Sequence, residues 1–253
     1  MPLRVAFDLD GTVADMYSTL HREALKLFGE ETLAKAAYKT PAPAPVAIPV
    51  SSDPKTATKS GDTPTPRPED TASAMEELHL TARQQVQLWD HVKKIENFWT
   101  TLPELEPGII ARIAKVAMAR RWEVIFFTTR PSAAGEMTQL QSQRWLEAHG
   151  FQYPSVYVVQ RSRGKIADAL QLDAFVDDRP ENCLDIAVES KAKVILVWHG
   201  NLKDVPAGAK RLGVRPVSTI SEAVSLLEQL DDIRNQPSIM RTLKRALGRE
   251  AEE

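Results

Sequence analysis

Apolar and polar residues form blocks along this chain that predict strands and helices in turn. The first apolar run, from Leu3 to Leu9, is continuous, which is typical of a strand buried in a parallel sheet. Similar short runs follow at 123–127, 155–159, 174–176 and 193–198. Helical patterns separate these runs, and strands that alternate with helices predict an α/β fold with a parallel sheet covered on both faces.

The helical patterns are recognised by apolar residues that recur every three or four positions. Thr81 is a plausible N-cap for a helix whose apolar stripe extends to Trp99, and Pro107 opens a helix with Ile109 and Ile113 on its inner face. The other predicted helices lie within 15–39, at 137–148, from Lys165, from about Glu181, and at 220–230.

A proline-rich stretch at about 40–72 interrupts the helical pattern after the first strand. It holds nearly half of the chain's 17 prolines and few large apolar side chains. Such a segment buries too little surface to offset the entropy of ordering it, so we expect a disordered or extended tether. The predicted organisation is an α/β core at 1–14 and 105–232, a helical insert at 15–104 that contains the tether, and a C-terminal tail at 233–253 that is helical or disordered.

Composition narrows the class of protein. The 253 residues are 43% hydrophobic with a net charge of -2, so no overall positive field favours nucleic acid or an anionic membrane. No apolar run approaches the roughly 20 residues that cross a bilayer. One cysteine excludes an internal disulfide and cysteine-based metal sites, and suits a reducing compartment. Residues 1–4 lead straight into a strand without a signal-peptide pattern, so we expect a cytoplasmic protein.

Chemically active side chains follow several of the predicted strands. Asp8 and Asp10 are two positions apart, so in an extended chain their carboxylates lie on the same side and repel each other unless a cation or a proton intervenes. Thr128 ends the second strand, and Asp177 and Asp178 end the fourth. Because parallel strands present their carboxyl ends at one rim, these groups predict a site for a phosphoryl group and Mg²⁺.

Together these segments resemble the four motifs of the haloacid dehalogenase superfamily. The matching residues, in the expected order, are Asp8-x-Asp10-Gly11-Thr12-Val13, Thr128, Lys165 and Asp177-Asp178. The resemblance implies a Rossmann-like sheet core and a helical cap of the C1 type, inserted after the first strand and lying over the active site. In that family an Asp two places after the nucleophile marks phosphatases and phosphomutases, so we expect a Mg²⁺-dependent phosphatase that acts on a small phosphomonoester through an aspartyl phosphate.

The resemblance also implies residue roles. Asp8 is the expected nucleophile, and Asp10 is the expected acid and base. Mg²⁺ is expected at Asp8, the backbone carbonyl of Asp10 and Asp178, with Asp177 supporting it from nearby.

Further roles concern the phosphate. Thr128 is expected to donate a hydrogen bond to a phosphoryl oxygen, and Lys165 to offset the negative charge that accumulates there. Thr129 and Arg130 complete the predicted substrate contacts, and Arg179 is a further candidate, although the sequence favours an ion pair with a nearby acid for each arginine. Asn182 falls where a polar residue often supports the metal site, and Cys183 is expected to be a small buried residue rather than a nucleophile.

Several alternatives remain open from sequence. The stretch "NFWTTLPELEPG" followed by "TTRP" weakly resembles deoxyribonucleotidases, which favours a nucleoside monophosphate among the small phosphorylated metabolites considered as partners. A phosphomutase or phosphotransferase is the alternative enzyme, and a catalytically silent binding protein is the alternative class. We expect no nucleic-acid or membrane partner, and either a monomer or a homodimer.

Overall fold

Six parallel strands form the centre of the computed structural model, which describes residues 2–30, 33 and 78–235. The strands are β1 Arg4–Asp8, β2 Glu123–Thr128, β3 Ser155–Val158, β4 Ala174–Asp177, β5 Lys193–Val197 and β6 Arg215–Val217. Their order across the sheet is β3-β2-β1-β4-β5-β6, and all neighbours are parallel. This confirms the predicted α/β class. The order reverses between β1 and β4, the point at which such sheets open a crevice at their carboxyl ends.

Helices and short helical turns connect the strands. The described helices are α1 Met16–Phe28, α2 Ala82–Val92, α3 Ile109–Arg120, α4 Thr138–Ala148, α5 Arg163–Ala169, α6 Pro180–Glu189, α7 Ala207–Arg211 and α8 Ile220–Asn235. Two 3-10 turns lie at Phe98–Thr100 and Leu202–Asp204.

Local sequence signals account for most of these boundaries. Thr81 caps α2 as predicted and forms a reciprocal capping box with Gln84. The helical stripe predicted as far as Trp99 is shorter, because α2 ends at Val92 and the chain turns before the 3-10 turn. Strand β6 was not predicted from the sequence. It is a three-residue edge strand that contains Pro216, and proline is tolerated at an edge because one side of the strand's backbone needs no partner.

Alternate residues along each strand pack on opposite faces of the sheet. Val5 and Phe7 of β1 face a cluster shared with α1–α4 and α8, whereas Ala6 faces a smaller cluster shared with α5–α7. Helices on either side of the predicted tether therefore pack in the same core as the sheet. Leu20 of α1 and Leu88 of α2 are fully buried in it.

Parts of the predicted organisation lie outside the described residues. These are the whole proline-rich stretch at 40–72 and the tail after Asn235, of which 233–235 are the last residues of α8. None of the helices in the described ranges is both long enough and apolar enough to span a bilayer.

Candidate active site

Three carboxylates meet where the sheet order reverses. Asp8 is the last residue of β1, Asp177 is the last residue of β4, and these two strands are neighbours. One oxygen of Asp8, one of Asp177 and one of Asp178 lie within 4.8 Å of each other. Asp8 and Asp177 are buried and Asp178 is half-buried. The sheet topology thus brings together acids that are about 170 residues apart in sequence.

This acid cluster, consisting of Asp8, Asp177 and Asp178, carries a surplus of negative charge. Burial raises the pKa of Asp8 well above its ordinary value, opposed by the charge of Arg163 and reinforced by the other two acids. Burial, followed by the charge of Asp177, raises the pKa of Asp178 to about 8. Each carboxylate therefore disfavours ionisation of the others in the absence of a further cation.

The donor set fits Mg²⁺. Carboxylate oxygens are the hard ligands this ion prefers, and ligands at about 2.1 Å on opposite sides of it lie about 4.2 Å apart. The 4.8 Å limit on the cluster's oxygens is close to that span, so little movement is needed for two or three of them to share one ion.

Arg163 is the cation that contacts the cluster. It is 4% exposed, and its Nη1 donates to Asp8 Oδ1 at 2.7 Å and also to Asp177. Lys165, the residue predicted to offset the negative charge at the site, is exposed on the first turn of α5. Ser162 caps that helix, so α5 begins at Arg163, two residues earlier than predicted. Positions two apart on a helix point about 200° apart, which turns Arg163 inward and Lys165 outward.

Asp177 is held by several donors. The side-chain amide of Asn182 donates to both of its oxygens at 3.2 Å, and the backbone N–H of Arg179 donates to Oδ1 at 2.9 Å. With Arg163 as a further donor, these bonds fix the orientation of Asp177 beside Asp8 and Asp178. Asn182 thus lies next to the predicted metal site, on the supporting side.

Asp178 faces the turn that follows β1. Its Oδ1 accepts a hydrogen bond from Thr12 Oγ1 at 3.1 Å. Gly11 has a φ of +83°, and a Cβ at this position would collide with the Asp178 carboxylate. Nε2 of His199 donates to the Gly11 carbonyl at 2.7 Å, which ties the turn to the residues after β5. Glycine is therefore required here by both conformation and close approach.

Asp10 has different partners from Asp8. Nε of Arg130 lies 2.9 Å from both of its oxygens, and Thr128 Oγ1 donates to Oδ2 at 2.9 Å. The Asp10 side chain is therefore turned toward the end of β2 and is not one of the three carboxylates in the acid cluster. This arrangement separates two acids that the sequence places two positions apart.

The residues predicted to contact phosphate form bonds within the protein. Arg130 is 2% exposed and its guanidinium pairs with Asp10, so it is enclosed by protein rather than available to a substrate. The hydroxyl of Thr128 donates to Asp10 and accepts the backbone N–H of Arg130 at 3.1 Å, which engages it within the protein. Thr129 lies between them and is half-buried.

Cys183 is buried under the acid cluster at the start of α6. Burial, with added repulsion from Asp177, raises the pKa of its thiol well above the ordinary value. A thiol held in its neutral form is a poor nucleophile, which agrees with its predicted structural place.

Comparisons with known proteins bear on the fold. No protein-family model matches the chain, and no match was found among curated proteins. Among solved structures, the chain resembles a putative beta-phosphoglucomutase from Thermotoga maritima at 15% identity and a TM-score of 0.50, over 90% of this chain and 99% of that one. It also resembles a HAD family hydrolase from Deinococcus radiodurans R1, a structure with bound phosphate and sodium, at 13% identity and a TM-score of 0.50, over 90% and 96% of the two chains. At such identities the likeness is one of fold.

Proposed function

From the premise that this chain has the haloacid dehalogenase-like fold, we propose that it is a Mg²⁺-dependent phosphatase that hydrolyses a small phosphomonoester through an aspartyl-phosphate intermediate. The observation that carries the proposal is the pair of environments around Asp8 and Asp10. Asp8 lies in an acid cluster that suits a divalent cation, and Asp10 lies outside it with its own partners. These different surroundings support Asp8 as the nucleophile and Asp10 as the acid and base.

The residues of the acid cluster would hold the ion. Asp8 and Asp178 are the direct carboxylate ligands in this proposal, and Asp177 supports them through its bonds to Arg163 and Asn182. When bound, Mg²⁺ supplies the positive charge that lets an anionic phosphate approach an anionic nucleophile. Arg163 contributes a second, fixed positive charge next to Asp8, which is the role predicted for Lys165 from its motif.

The chemistry has two steps. In the first, an oxygen of Asp8 bonds to phosphorus, the bond from phosphorus to the leaving oxygen breaks, and Asp10, acting in its protonated form, gives its proton to that oxygen and is left as the carboxylate. In the second, Asp10 takes a proton from water as the water oxygen attacks phosphorus, which releases inorganic phosphate and regenerates Asp8. The sum is hydrolysis of a phosphomonoester to an alcohol and phosphate.

The substrate we propose is a small phosphorylated metabolite. Phe98 and Trp99 of the insert have rings that could stack on a nucleotide base, but they are 1% and 0% exposed and belong to the core. The phosphate bound in the Deinococcus radiodurans hydrolase supports a phosphate-binding role for this fold. The proposal is therefore made for phosphomonoesters as a class.

Hydrolysis of 4-nitrophenyl phosphate by the full chain tests the proposal. We expect turnover with Mg²⁺, none with EDTA, and a loss of at least about 10³-fold in Asp8→Asn. Asp204→Asn, which changes an exposed acid of a 3-10 turn, is the matched control and should retain activity. Turnover that persists in EDTA, or full activity in Asp8→Asn, would overturn the mechanism.

Product analysis separates the alternatives. Incubation with a hexose phosphate should release inorganic phosphate if water is the acceptor. Recovery of an isomeric hexose phosphate instead would identify a phosphomutase. Failure to turn over any phosphomonoester would favour a binding protein.

A further inference from the structure

Arg130 is enclosed on every side that the structure describes. Its guanidinium carbon lies 5.2 Å from the ring centre of Trp99 and 5.8 Å from that of Trp145. Its Nη1 donates to Ser142 Oγ at 3.0 Å, while Nε and Nη2 face Asp10 at 2.9 and 2.8 Å. Two aromatic faces, a hydroxyl and a carboxylate thus fix one cation, an arrangement that we call the Arg130 cage.

The walls of the cage are themselves anchored. Trp99 Nε1 donates to the carbonyl of Pro131 at 3.0 Å, and its backbone N–H donates to Gln141 Oε1 at 3.1 Å. Trp145 Nε1 donates to the carbonyl of Leu102 at 2.7 Å. Both rings therefore have fixed positions, and the guanidinium between them has little freedom to rotate.

One wall belongs to the segment that follows α2. Trp99 lies in the 3-10 turn Phe98–Thr100, and Trp89 of α2 packs against it with ring centres 6.4 Å apart. A continuous set of contacts thus runs from α2 through Trp89, Trp99 and Arg130 to Asp10.

We propose that Arg130 is a positioning residue for Asp10, and that Trp99 makes this positioning depend on the segment between α2 and α3. The inference rests on the proposed phosphatase function. By pairing with both oxygens of Asp10, Arg130 holds that carboxylate on the Thr128 side of the site and away from the acid cluster. An error of about 1 Å in the placement of a catalytic group costs about 100-fold in rate, so a fixed guanidinium has a direct catalytic consequence.

A purely structural role for the cage gives a different kinetic result. Proton donation to the leaving group accelerates esters of weakly acidic alcohols and phenols most, because a good leaving group departs without help. Misplacing Asp10 should therefore slow hydrolysis of phenyl phosphate far more than that of 2,4-dinitrophenyl phosphate. A general loss of structure slows both by the same factor.

The experiment compares kcat/KM for these two substrates in the full chain with Mg²⁺. In Trp99→Leu and Arg130→Lys we expect a loss of about tenfold or more with phenyl phosphate and of less than about twofold with 2,4-dinitrophenyl phosphate. Trp99→Phe keeps an aromatic face and should restore most of the difference. The control is Trp122→Leu, which removes another buried tryptophan, one bonded to Asp231 at 3.1 Å, and should not change the ratio of the two rates.

The outcomes separate this inference from the function on which it rests. Equal losses on both substrates in Trp99→Leu, or an unchanged ratio, would overturn the positioning role while leaving a phosphatase. No hydrolysis of either ester by the unaltered chain would overturn the proposed function itself. Should Arg130→Lys fail to fold by circular dichroism, the Trp99→Leu and Trp99→Phe pair still decides the question.

Discussion

Asp8 and Asp10 are separated by a single residue, yet their carboxylates lie in opposite electrostatic surroundings. Asp8 shares its space with two more acids and one arginine. Asp10 pairs with one arginine, Arg130, and accepts a hydrogen bond from one hydroxyl, that of Thr128. The region around Asp8 has more acidic than basic groups, whereas the charge of Asp10 is balanced by that of Arg130. The comparison shows that similar acids acquire different chemical uses from the strands and loops that bring partners to them.

The two regions should respond in opposite ways to the loss of an acid. Removing a carboxylate from a balanced buried pair leaves an unpaired charge, which is costly. Removing one from a crowded cluster relieves repulsion. Stability measured in EDTA therefore provides a test that does not depend on knowing the substrate.

The largest effect is expected from Asp10→Asn. Without the carboxylate, the buried guanidinium of Arg130 loses its counter-charge, so we expect the free energy of unfolding to fall by about 3–5 kcal/mol. Urea unfolding measures this, with Asp204→Asn as an exposed control that should lie within about 0.5 kcal/mol of the unaltered chain. Equal stability in the two variants would show that the Asp10 region is not the balanced pair described above.

Arg163→Met is expected to have the next largest effect. It leaves the acid cluster without its contacting cation, so we expect a loss of about 2–4 kcal/mol in EDTA. Lys165→Met is the matched change two residues later, and because that side chain is exposed it should shift stability by no more than about 0.5 kcal/mol. The reverse ranking would restore Lys165 to the role predicted from sequence.

Asp178→Asn should have the opposite sign. It removes an acid whose pKa is raised in the folded metal-free chain, which costs stability above its ordinary pKa, so the metal-free variant should gain about 1–2 kcal/mol in the same unfolding experiment. Mg²⁺ at about 100 times its Kd should stabilise the unaltered chain by about 2.7 kcal/mol and the variant much less. A destabilised variant that still responds fully to Mg²⁺ would remove Asp178 from the proposed ligands.

The stability advantage of Asp178→Asn should also depend on pH. The pKa of Asp178 is about 8 in the folded chain and ordinarily 3.8, so between these values the folded state holds a proton that the unfolded state has lost. This group therefore lowers the stability of the metal-free protein as pH rises from about 4 to about 8. Melting temperatures in EDTA should show the advantage of Asp178→Asn widening from about pH 5.5 to about pH 8.5, and an advantage independent of pH would contradict the shift.

Short-range patterns were enough to predict most of the architecture. Continuous apolar runs marked five of the strands, and Thr81 marked the start of α2 because capping depends only on residues three apart. The exception, β6, is too short and too rich in proline to resemble a strand by itself. It forms because it pairs in parallel with β5.

The acids of the site could be predicted, whereas their cations could not. Each acid lies at the end of a strand or just after it, and the carboxyl ends of parallel strands meet at one rim of the sheet. Arg163 depends on where α5 begins, and the signal for that start was Ser162, whose hydroxyl accepts the N–H of Lys165 at 3.3 Å. If "SRGK" is read as a helix start capped by Ser162, the sequence predicts that Arg163 faces inward.

The contacts of Arg130 could not be predicted from its own segment, because they come from distant parts of the sequence. Its sequence neighbours "TTRP" are compatible with a substrate contact as well as with the ion pair that the sequence favours, and they do not identify the partner. Trp99 and Trp145, which enclose it, come from opposite sides of β2 in sequence and meet only when the fold is complete. A pattern confined to one segment contains no trace of such a contact.

The tight turn at Gly11 has a consequence for how this chain can evolve. Every missense change of a glycine codon adds at least a Cβ, and at this position any Cβ collides with the carboxylate of Asp178. Exposed positions of the insert can drift through many codons at little cost. Every missense change of the Gly11 codon is therefore disfavoured, and we expect lineages that keep the site to keep this glycine.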